Sequence, residues 1–415
     1  MNTFRVGLLI GWRQLQRANL WTTGLIVFVM MITFLNLVAV SGILVGLIVG
    51  SERAFEEKST GSIIIDALEN EDYIIRSDYI SKVLQKTPGV AAHTIRYDSA
   101  GTIVADYRSR QNPDDDPNQT GVRLVGVDPH AEDQVTNLSE NMVEGEYFYP
   151  NDSAAILIGS LNLERYTAGF ADITGALTDV QVGDTVRVTA NAVSREFVVR
   201  GIIDAKVGDI SSAVFMPERE LRRMATRTND QADRIALTIT DTVTADTVKA
   251  QLVKTDLNQF ANIRTFQEAL PKFLIDIKNT FKVLGTFVGA IGIIVASITI
   301  FIIIFINAIA RRQQIGILKG IGIDRRAIEV AYVFQAAVYA LVGAGLGALL
   351  TFGVLIGYFE RNPIDFPFSD GILVAEPLPT LIRFGLLFVV TLIAGFIPAW
   401  VIVKQNTLNS ILGRK

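Results

Sequence analysis

The sequence predicts an α-helical membrane protein with four transmembrane helices and a large mixed α/β extracytoplasmic domain inserted between helices one and two. Four apolar runs lie near 21–50, 281–310, 327–358 and 381–403. Each is longer than the about 20 residues that a helix needs to cross a bilayer. More than half of the chain lies between the first two runs and is largely polar. Half of all residues are hydrophobic and the mean hydropathy is positive, as expected for a chain that is part membrane and part globular.

These runs and the charges beside them divide the chain into nine consecutive segments. The predicted segments are a cytoplasmic amphipathic helix (1–20), transmembrane helix 1 (21–50), an extracytoplasmic core domain (51–277), transmembrane helix 2 (278–310), a basic cytoplasmic segment (311–326), transmembrane helix 3 (327–358), an outer loop (359–379), transmembrane helix 4 (380–403) and a cytoplasmic tail (404–415).

The first apolar run is interpreted as a retained signal anchor. It follows a basic leader with Arg5, Arg13 and Arg17 but is about twice as long as the apolar core of a signal peptide. A cleaved signal peptide is the alternative. Within the leader, Phe4, Leu8, Trp12 and Leu15 recur at helical spacing, which indicates an amphipathic helix on the inner membrane surface; a frayed basic leader is the alternative.

Orientation follows from the positive-inside rule, because short cytoplasmic loops are rich in lysine and arginine. The loop between helices two and three carries five basic residues and one acid, whereas the loop between helices three and four carries four acids and one arginine. We therefore expect a multi-pass protein of the cell (inner) membrane, with both termini cytoplasmic and the large domain outside.

Composition excludes several chemistries. The chain has no cysteine, so disulfides, thiolate nucleophiles and cysteine-ligated metals are excluded. The net charge of −4 gives no case for nucleic-acid binding. His93 and His130, the only histidines, lack metal-binding spacing, and no metal site is expected. No G-x-x-x-x-G-K-[ST] loop is present, so we expect no ATP hydrolysis by this chain alone and no catalytic residues.

The first apolar run contains Gly42, Gly46 and Gly50, which are four residues apart and share one helix face. Such a stripe lets another helix approach closely, either within the chain or from a second copy in a dimer. Polar residues in the runs are few, among them Asn36, Asn307, Gln335 and Thr391, and we expect the asparagines to bridge helices rather than to line a substrate path. The cores of helices one to three carry no charge, which argues against an ion-coupled carrier.

The outer domain is predicted to be mixed α/β from period-two alternation and turn signals. The expected helices are 78–86, capped by Asp78 and ending near Pro88-Gly89, and 245–253, and residues 112–118 are an expected exposed loop. The expected strands are 90–97, 102–107, 122–127, 155–158, 185–190, 196–203, 213–216 and 234–239.

The basic segment after helix two is the most distinctive cytoplasmic stretch. Ile315, Leu318 and Ile321 form an apolar stripe flanked by basic residues, and Gly320 and Gly322 break the helix after it. A short helix of this kind suits docking in a groove of a partner protein. The alternative is a loop that rests on the membrane and only sets the topology.

At this point the chain resembles a known family, the FtsX/MacB-like permeases of ABC transporters, also called type VII ABC exporters. The block 311–347, RRQQIGILKGIGIDRRAIEVAYVFQAAVYALVGAGLG, is similar to the characteristic family stretch, with departures at Gln314, at Ile323-Asp324 and at Gln335. Pro398-Ala399 followed by Ile411-Leu412 resembles the family ending. Five short motifs in the outer domain occur in the order of the MacB-like periplasmic core domain, namely 87–90, 125–129, 144–148, 182–186 and 199–202.

The resemblance implies a mechanism and partners. It implies two permease chains, identical or paralogous, and two copies of a separate ABC ATPase. It implies no cofactor in this chain, since ATP and Mg²⁺ bind the ATPase. It also implies mechanotransmission, in which ATPase closure pushes on the 311–326 segment and the helices carry the motion to the outer domain. The ATPase-coupling residues implied are Arg311, Arg312, Gln314, Ile315, Leu318, Lys319 and Gly322.

Three functions are compatible with these features to different degrees. The leading one is a transport subunit that exports or extracts a lipoprotein, peptide or hydrophobic compound at the outer face of the membrane, with a membrane-fusion or other extracytoplasmic protein as a further partner. The alternative is an FtsX-like signalling permease that regulates an extracytoplasmic partner such as a cell-wall hydrolase. A membrane-anchored enzyme is the weakest, because the sequence shows no catalytic cluster.

Overall fold

The computed structural model describes residues 3–108, 117–150, 152–167, 175–227, 231–366, 369–371 and 373–404. Most of the predicted 112–118 loop and the tail beyond residue 404, with Ile411-Leu412, lie outside these residues. The chain divides into two compact units. A helical unit comprises Met1–Ile48, Asp276–Asp365 and Asp370–Lys415, and a sheet unit comprises Val49–Ile275 and Phe366–Ser369.

The helical unit contains the long apolar helices. Its elements are α1 (Thr3–Gln16), α2 (Leu20–Phe55, whose last turns belong to the sheet unit), α9 (Lys272–Ala310, which begins in the sheet unit), α10 (Arg312–Gly320), α11 (Arg325–Leu350), a π-helical stretch (Thr351–Leu355), α12 (Ile356–Arg361) and α13 (Pro377–Val403). A small hairpin, β11 (Ile364–Phe366) and β12 (Ser369–Gly371), precedes α13. Within the described residues, four helical stretches are long and apolar enough to span a bilayer, as predicted: Leu20–Thr60, Lys272–Ala310, Arg325–Arg361 and Pro377–Val403.

Small residues set the packing of the helical unit. On α11, Gly343 and Gly347 lie four residues apart against α2, where an added Cβ on Gly343 would lie 2.4 Å from the Met30 Cβ. On α1, Gly7 and Gly11 lie against the first turns of α11 in the same way. Close approach of backbones is the usual source of attraction between helices in lipid, because lipid is as apolar as the side chains.

The sheet unit is built on one large sheet. Its strands are β1 (Ile63–Asp66), β2 (Val90–Val104), β3 (Gln119–Val127), β4 (Met142–Gly145), β5 (Ala155–Gly159), β6 (Thr185–Ala190), β7 (Val193–Ile203), β8 (Ala213–Pro217), β9 (Arg234–Ile239) and β10 (Asn262–Thr265). Its helices are α3 (Ser77–Leu84), α4 (Pro129–Thr136), α5 (Gly208–Ser211), α6 (Glu218–Met224), α7 (Ala245–Lys254) and α8 (Phe266–Ala269).

The sheet consists of a closed ring and an open flank that share β2. Strand pairing runs β2-β3-β8-β5-β7-β6 and back to β2, so these six strands close on themselves. Two of the pairs, β3–β8 and β5–β7, are parallel and the other four are antiparallel. The first half of β2 instead pairs with β9, and the order β9-β1-β10 completes the flank. Closure removes most exposed strand edges, which are otherwise templates for aggregation.

Separate apolar cores fill the two parts. The ring encloses side chains such as Ile103, Leu124, Phe197 and Met216. The flank packs against α3 and α7, with Ile80, Leu84, Val248 and Leu252 among the buried residues. A third cluster, which includes Phe55 and Phe215, covers another surface of the ring strands.

A buried ion pair joins β2 to α4 in the sheet unit. Arg96 Nε and Nη2 donate to the Glu132 Oε2 and Oε1 atoms at 3.0 and 2.6 Å, and the two side chains are 2% and 0% exposed. The Thr94 and Thr136 hydroxyls each donate to one carboxylate oxygen of Glu132 at 3.1 Å. The carboxylate is thus satisfied on both oxygens, as a buried charge must be.

Some sequence expectations need correction. The predicted strands 90–97 and 102–107 are one strand, because Gly101 continues the pairing where a Cβ would lie 2.7 Å from the Thr189 carbonyl oxygen. The helix predicted from Asp78 begins at Ser77, and its N-cap is Arg76, without a side-chain cap. The expectations at 185–190 and 234–239 match β6 and β9. The short strands β1, β4 and β10 were not predicted, since four residues carry little periodicity.

Candidate functional site

The candidate site is the short helix α10 between two long apolar helices. Helix α9 ends at Ala310, and Arg311 interrupts the helical path with φ −103° and ψ 13°. Backbone hydrogen bonds from Arg311 N to the Asn307 oxygen and from Ile315 N to the Arg311 oxygen continue across this residue. The break at Arg311 therefore costs few backbone hydrogen bonds, and it separates α10 from α9 as an element of its own.

Gly322 ends α10 in a Schellman motif. Its φ is +89°, the left-handed region that glycine adopts without strain. The Ile323 amide donates to the Leu318 oxygen and the Gly322 amide to the Lys319 oxygen, which satisfies two carbonyls at the helix end. Asp324 then accepts a hydrogen bond from the Arg326 amide and caps α11. Gly322 is thus needed for the turn between the two helices.

The sequence predicted that Ile315, Leu318 and Ile321 form one apolar docking face, and the structure corrects this prediction. Ile315 is only 2% exposed and belongs to the core of the helical unit, and Leu318 packs partly buried against that core. Ile321, by contrast, is 71% exposed and Ile317 is 55% exposed. Ile315 and Leu318 therefore anchor α10 from within, because inward-facing side chains are not available to a partner.

The exposed face of α10 consists of Gln313, Gln314 and Ile317, and Ile321, the C-cap residue directly after the helix, continues this face. Each of these residues is one, three or four positions from the next, so their side chains lie on one side of the helix. Ile317 was not among the residues predicted from the sequence to couple to the ATPase. The sequence does contain a pattern that indicates it: Gln313, Ile317 and Ile321 are each four residues apart and so lie on one helix face. This face differs from the one that the three-residue spacing of Ile315, Leu318 and Ile321 suggested.

The basic residues of the 311–326 segment differ in burial and in contacts. Arg311 and Arg312 are half-buried. The Lys319 ammonium donates to the Val403 carbonyl oxygen at 3.1 Å, at the last turn of α13, where a cation favourably meets unpaired carbonyls. Burial, with a smaller effect of Arg325, lowers the pKa of Lys319. Lys319 thus ties α10 to the end of α13.

The glycine stripe of α2 packs within the chain at its first member. The Gly42 carbonyl accepts a hydrogen bond from the Val374 amide at 3.1 Å, and an added Cβ on Gly42 would lie 2.8 Å from the Leu373 Cδ1 atom. Gly46 is buried and Gly50 is half-buried. For Gly42 the intrachain contact is sufficient to explain a small residue.

Two families match separate parts of the chain. The family of the MacB-like periplasmic core domain matches residues 23–255, more than half of the chain. The family of the FtsX-like permease C-terminal domain matches residues 286–407, which include α10. The chain belongs to the FtsX/MacB-like family of ABC transporter permeases. It is accordingly a membrane protein with a large domain of the MacB-like type.

Individual relatives match parts of the chain. A macrolide export ATP-binding/permease protein MacB of Campylobacter jejuni is 23% identical over 194 residues, 47% of this chain and 28% of that protein. MacB of Bordetella avium is 27% identical over 32% of this chain and 19% of that protein. The ABC transporter permease YtrF of Bacillus subtilis is 32% identical over 74 residues, 18% of this chain and 17% of that protein. The chain thus spans less than a third of the length of these relatives.

Solved structures with some similarity include the periplasmic region of MacB from Actinobacillus actinomycetemcomitans, with a TM-score of 0.36 and 16% identity over 51% of this chain and 92% of that one. The extracellular domain of the noncanonic ABC-type transporter YknZ from Gram-positive bacteria has a TM-score of 0.33 and 13% identity, over 49% and 98% of the two chains.

Proposed function

We propose that this chain is the permease subunit of an ABC transporter that works by mechanotransmission. A separate ATPase supplies ATP hydrolysis, and the chain couples it to export or extraction of a lipoprotein, peptide or hydrophobic compound at the outer face of the membrane. Two permease copies, or a copy and a paralogue, complete the complex. The sheet unit is the extracytoplasmic domain, and both termini and α10 are cytoplasmic.

The exposed face of α10 is the observation that carries the proposal. Two large aliphatic side chains, Ile317 and Ile321, lie exposed beside glutamines on a helix outside the long apolar helices. An amphipathic helix whose apolar residues are four apart is recognised in a hydrophobic groove. The inward anchors Ile315 and Lys319 fix this helix to the helical unit, so that a push on α10 reaches α9, α11 and α13 together.

The test is co-purification with candidate ATPases of the same genome. We expect wild-type chain to retain one ATPase in detergent and to change its hydrolysis rate. The double variant Ile317→Asp and Ile321→Asp is expected to lose the ATPase, because two charges would enter an apolar groove at a cost of several kcal/mol. Membrane insertion and elution volume should stay normal, since both side chains are exposed.

Arg326→Asp is the matched control. It changes the net charge by the same two units and lies at an exposed position a few residues beyond the face. ATPase retention by the control and loss by the double variant would support docking on this face. Equal retention by both variants would contradict it.

The proposed sidedness has its own test. Because the chain has no cysteine, single cysteines can be labelled without background. Gln313→Cys on α10 should resist an impermeant maleimide in intact cells and react after permeabilisation. Asp241→Cys, at an exposed turn of the sheet unit, should react in intact cells at once. The opposite pattern would reverse the topology.

A further inference from the structure

A groove with an apolar lining lies along the first turns of α2, in the helical unit. Its volume of about 390 Å³ is within the range of sites for small organic ligands, about 300–1,000 Å³. The lining residues recur at helical spacing on one side of α2 and are Leu20, Trp21, Gly24, Leu25 and Phe28. Trp21 is 88% exposed, and Leu25 and Phe28 are more than half exposed. The groove therefore offers apolar surface to a ligand.

Gly24 keeps this groove open. It lies three residues after Trp21 and four before Phe28, and no atom outside its own helix backbone lies within 4 Å of an added Cβ. Packing within the described chain therefore does not account for a glycine here, in contrast to Gly343. A larger side chain would occupy the space between the two aromatic residues, whereas glycine leaves it free for a flexible acyl chain.

The elements on both sides of the groove are held in place. The Asn19 Oδ1 atom accepts a hydrogen bond from the Trp21 amide at 2.9 Å and so fixes the first turn of α2. The end of α1 is held to α11, because the Gln335 side-chain amide donates to the Gln14 Oε1 atom. The short connection from α1 to α2 therefore has a defined position.

Two unpaired arginines lie on this connection. Arg13 is in the last turn of α1, Arg17 follows the helix, and both are exposed. In the part of the chain that the structure describes, neither guanidinium has a carboxylate partner. Since Arg17 is three residues before Leu20, their Cα atoms are at most about 11 Å apart. Positive charge thus lies within reach of the end of the groove.

An anionic phospholipid complements both features. The guanidinium of arginine matches phosphate oxygens in a bidentate geometry, and an acyl chain covers apolar surface. A soluble phosphate would leave the groove uncovered. Phosphatidylcholine carries a quaternary ammonium beside its phosphate, which two arginines repel. A lipid with a net negative headgroup therefore fits better than a zwitterionic one.

A second copy of this chain is a poorer match for the groove. In a symmetric dimer the same patch of both copies meets, so Arg13 and Arg17 would lie close to the same two arginines of the partner. The first acidic residue of the sequence is Glu52, and the segment 1–51 supplies no carboxylate to offset this repulsion.

We propose that α1 and α2 form a binding site for an anionic phospholipid, with Arg13 and Arg17 at its headgroup and the groove around Gly24 holding an acyl chain. The site lies wholly in the helical unit. It goes beyond the function proposed above, because it does not depend on docking of an ATPase.

The test is quenching of Trp21 fluorescence by brominated lipids. The chain has three tryptophans, and the variant Trp12→Phe with Trp400→Phe leaves only Trp21, which lines the groove. This full-length variant is reconstituted without ATPase in vesicles of phosphatidylcholine with a minor fraction of phosphatidylglycerol. In one preparation the acyl chains of phosphatidylglycerol carry bromine, and in the other those of phosphatidylcholine.

We expect brominated phosphatidylglycerol to quench Trp21 about fivefold more per mole than brominated phosphatidylcholine, since two arginines attract the anionic headgroup. Equal quenching per mole by the two lipids would overturn the proposal. Absence of quenching by both lipids would also overturn it, because a protein surface such as a second copy would then cover the groove.

Charge variants in the same background locate the headgroup. Arg13→Gln with Arg17→Gln should remove the preference for phosphatidylglycerol. The matched control is Arg326→Gln with Arg361→Gln, which removes two exposed charges outside the groove and should keep the preference. An equal loss in both double variants would mean that overall charge, rather than this site, attracts the lipid.

A glycine variant locates the acyl chain. Gly24→Leu should fill the groove and lower quenching by phosphatidylglycerol to the level of phosphatidylcholine. Gly345→Leu is the matched control, because Gly345 also has no atom within 4 Å of an added Cβ but lies on α11. An unchanged preference in Gly24→Leu would place the lipid elsewhere and contradict the proposed groove.

The lipid site and the transporter function fail separately. A preference for phosphatidylglycerol in a chain that retains no ATPase would support the site and contradict the function. A retained ATPase without this preference would support the function and contradict the site.

Discussion

Arg96→Ala is expected to destabilise the sheet unit by about 3–5 kcal/mol, because it leaves the Glu132 carboxylate buried without its counter-charge. The Thr94 and Thr136 hydroxyls would still donate to Glu132, but two neutral hydrogen bonds do not replace a bidentate guanidinium. Such a loss is a large share of the total stability of a domain, commonly 5–15 kcal/mol.

The measurement is pulse proteolysis of the full chain in detergent across a urea series, read on fragments of the sheet unit. Tryptophan fluorescence would not report on this unit, because Trp12, Trp21 and Trp400 all lie in the helical unit. The shift of the urea midpoint gives the change in the free energy of unfolding.

Arg165→Ala is the matched control. Arg165 also forms a bidentate pair with a glutamate, Glu144, at 3.1 and 2.8 Å, but both side chains are more than a third exposed. Its loss should cost at most about 1 kcal/mol. The double variant Arg96→Met with Glu132→Leu should recover most of the stability, since an apolar pair leaves no buried charge. Equal effects of Arg96→Ala and Arg165→Ala would contradict this account.

Gly343→Leu is expected to disrupt the packing of α11 on α2. The first atom of the new side chain would lie 2.4 Å from the Met30 Cβ and 3.0 Å from the Val27 carbonyl oxygen, and neither backbone can yield without separating the helices. Overpacking of this kind costs about 1–3 kcal/mol in cores and more where backbone must move. The expected result is a lower midpoint of thermal aggregation in detergent.

Gly345→Leu is the control on the same helix. Gly345 is exposed, and no atom lies within 4 Å of an added Cβ. The same substitution two residues away should leave the aggregation midpoint within experimental error. A similar loss in both variants would mean that leucine, rather than the contact with α2, is responsible.

Both predictions concern features that the sequence did not reveal. Arg96 and Glu132 are 36 residues apart, and each looks like a surface residue in its own segment. The sequence analysis singled out the glycine stripe Gly42, Gly46 and Gly50, whereas only the contacts in the structure distinguish Gly343, packed against α2, from Gly345, which has no neighbour within 4 Å of an added Cβ. Which residues contact each other depends on how distant segments of the chain pack together, and local sequence periodicity does not encode this packing.

The sequence by itself determined the four apolar helices, the mixed character of the large domain and the resemblance to the family, because hydrophobic length and ordered motifs are local properties. The sequence also identified the basic segment 311–326 as distinct from the apolar helices on either side of it. Only the tertiary structure decided that Ile315 and Leu318 face inward while Ile317 and Ile321 are exposed. Apolar residues on α10 are spaced so that either of two helix faces could be buried. Which face is buried depends on the neighbouring elements, here the core helices around Ile315 and the Val403 carbonyl that binds Lys319.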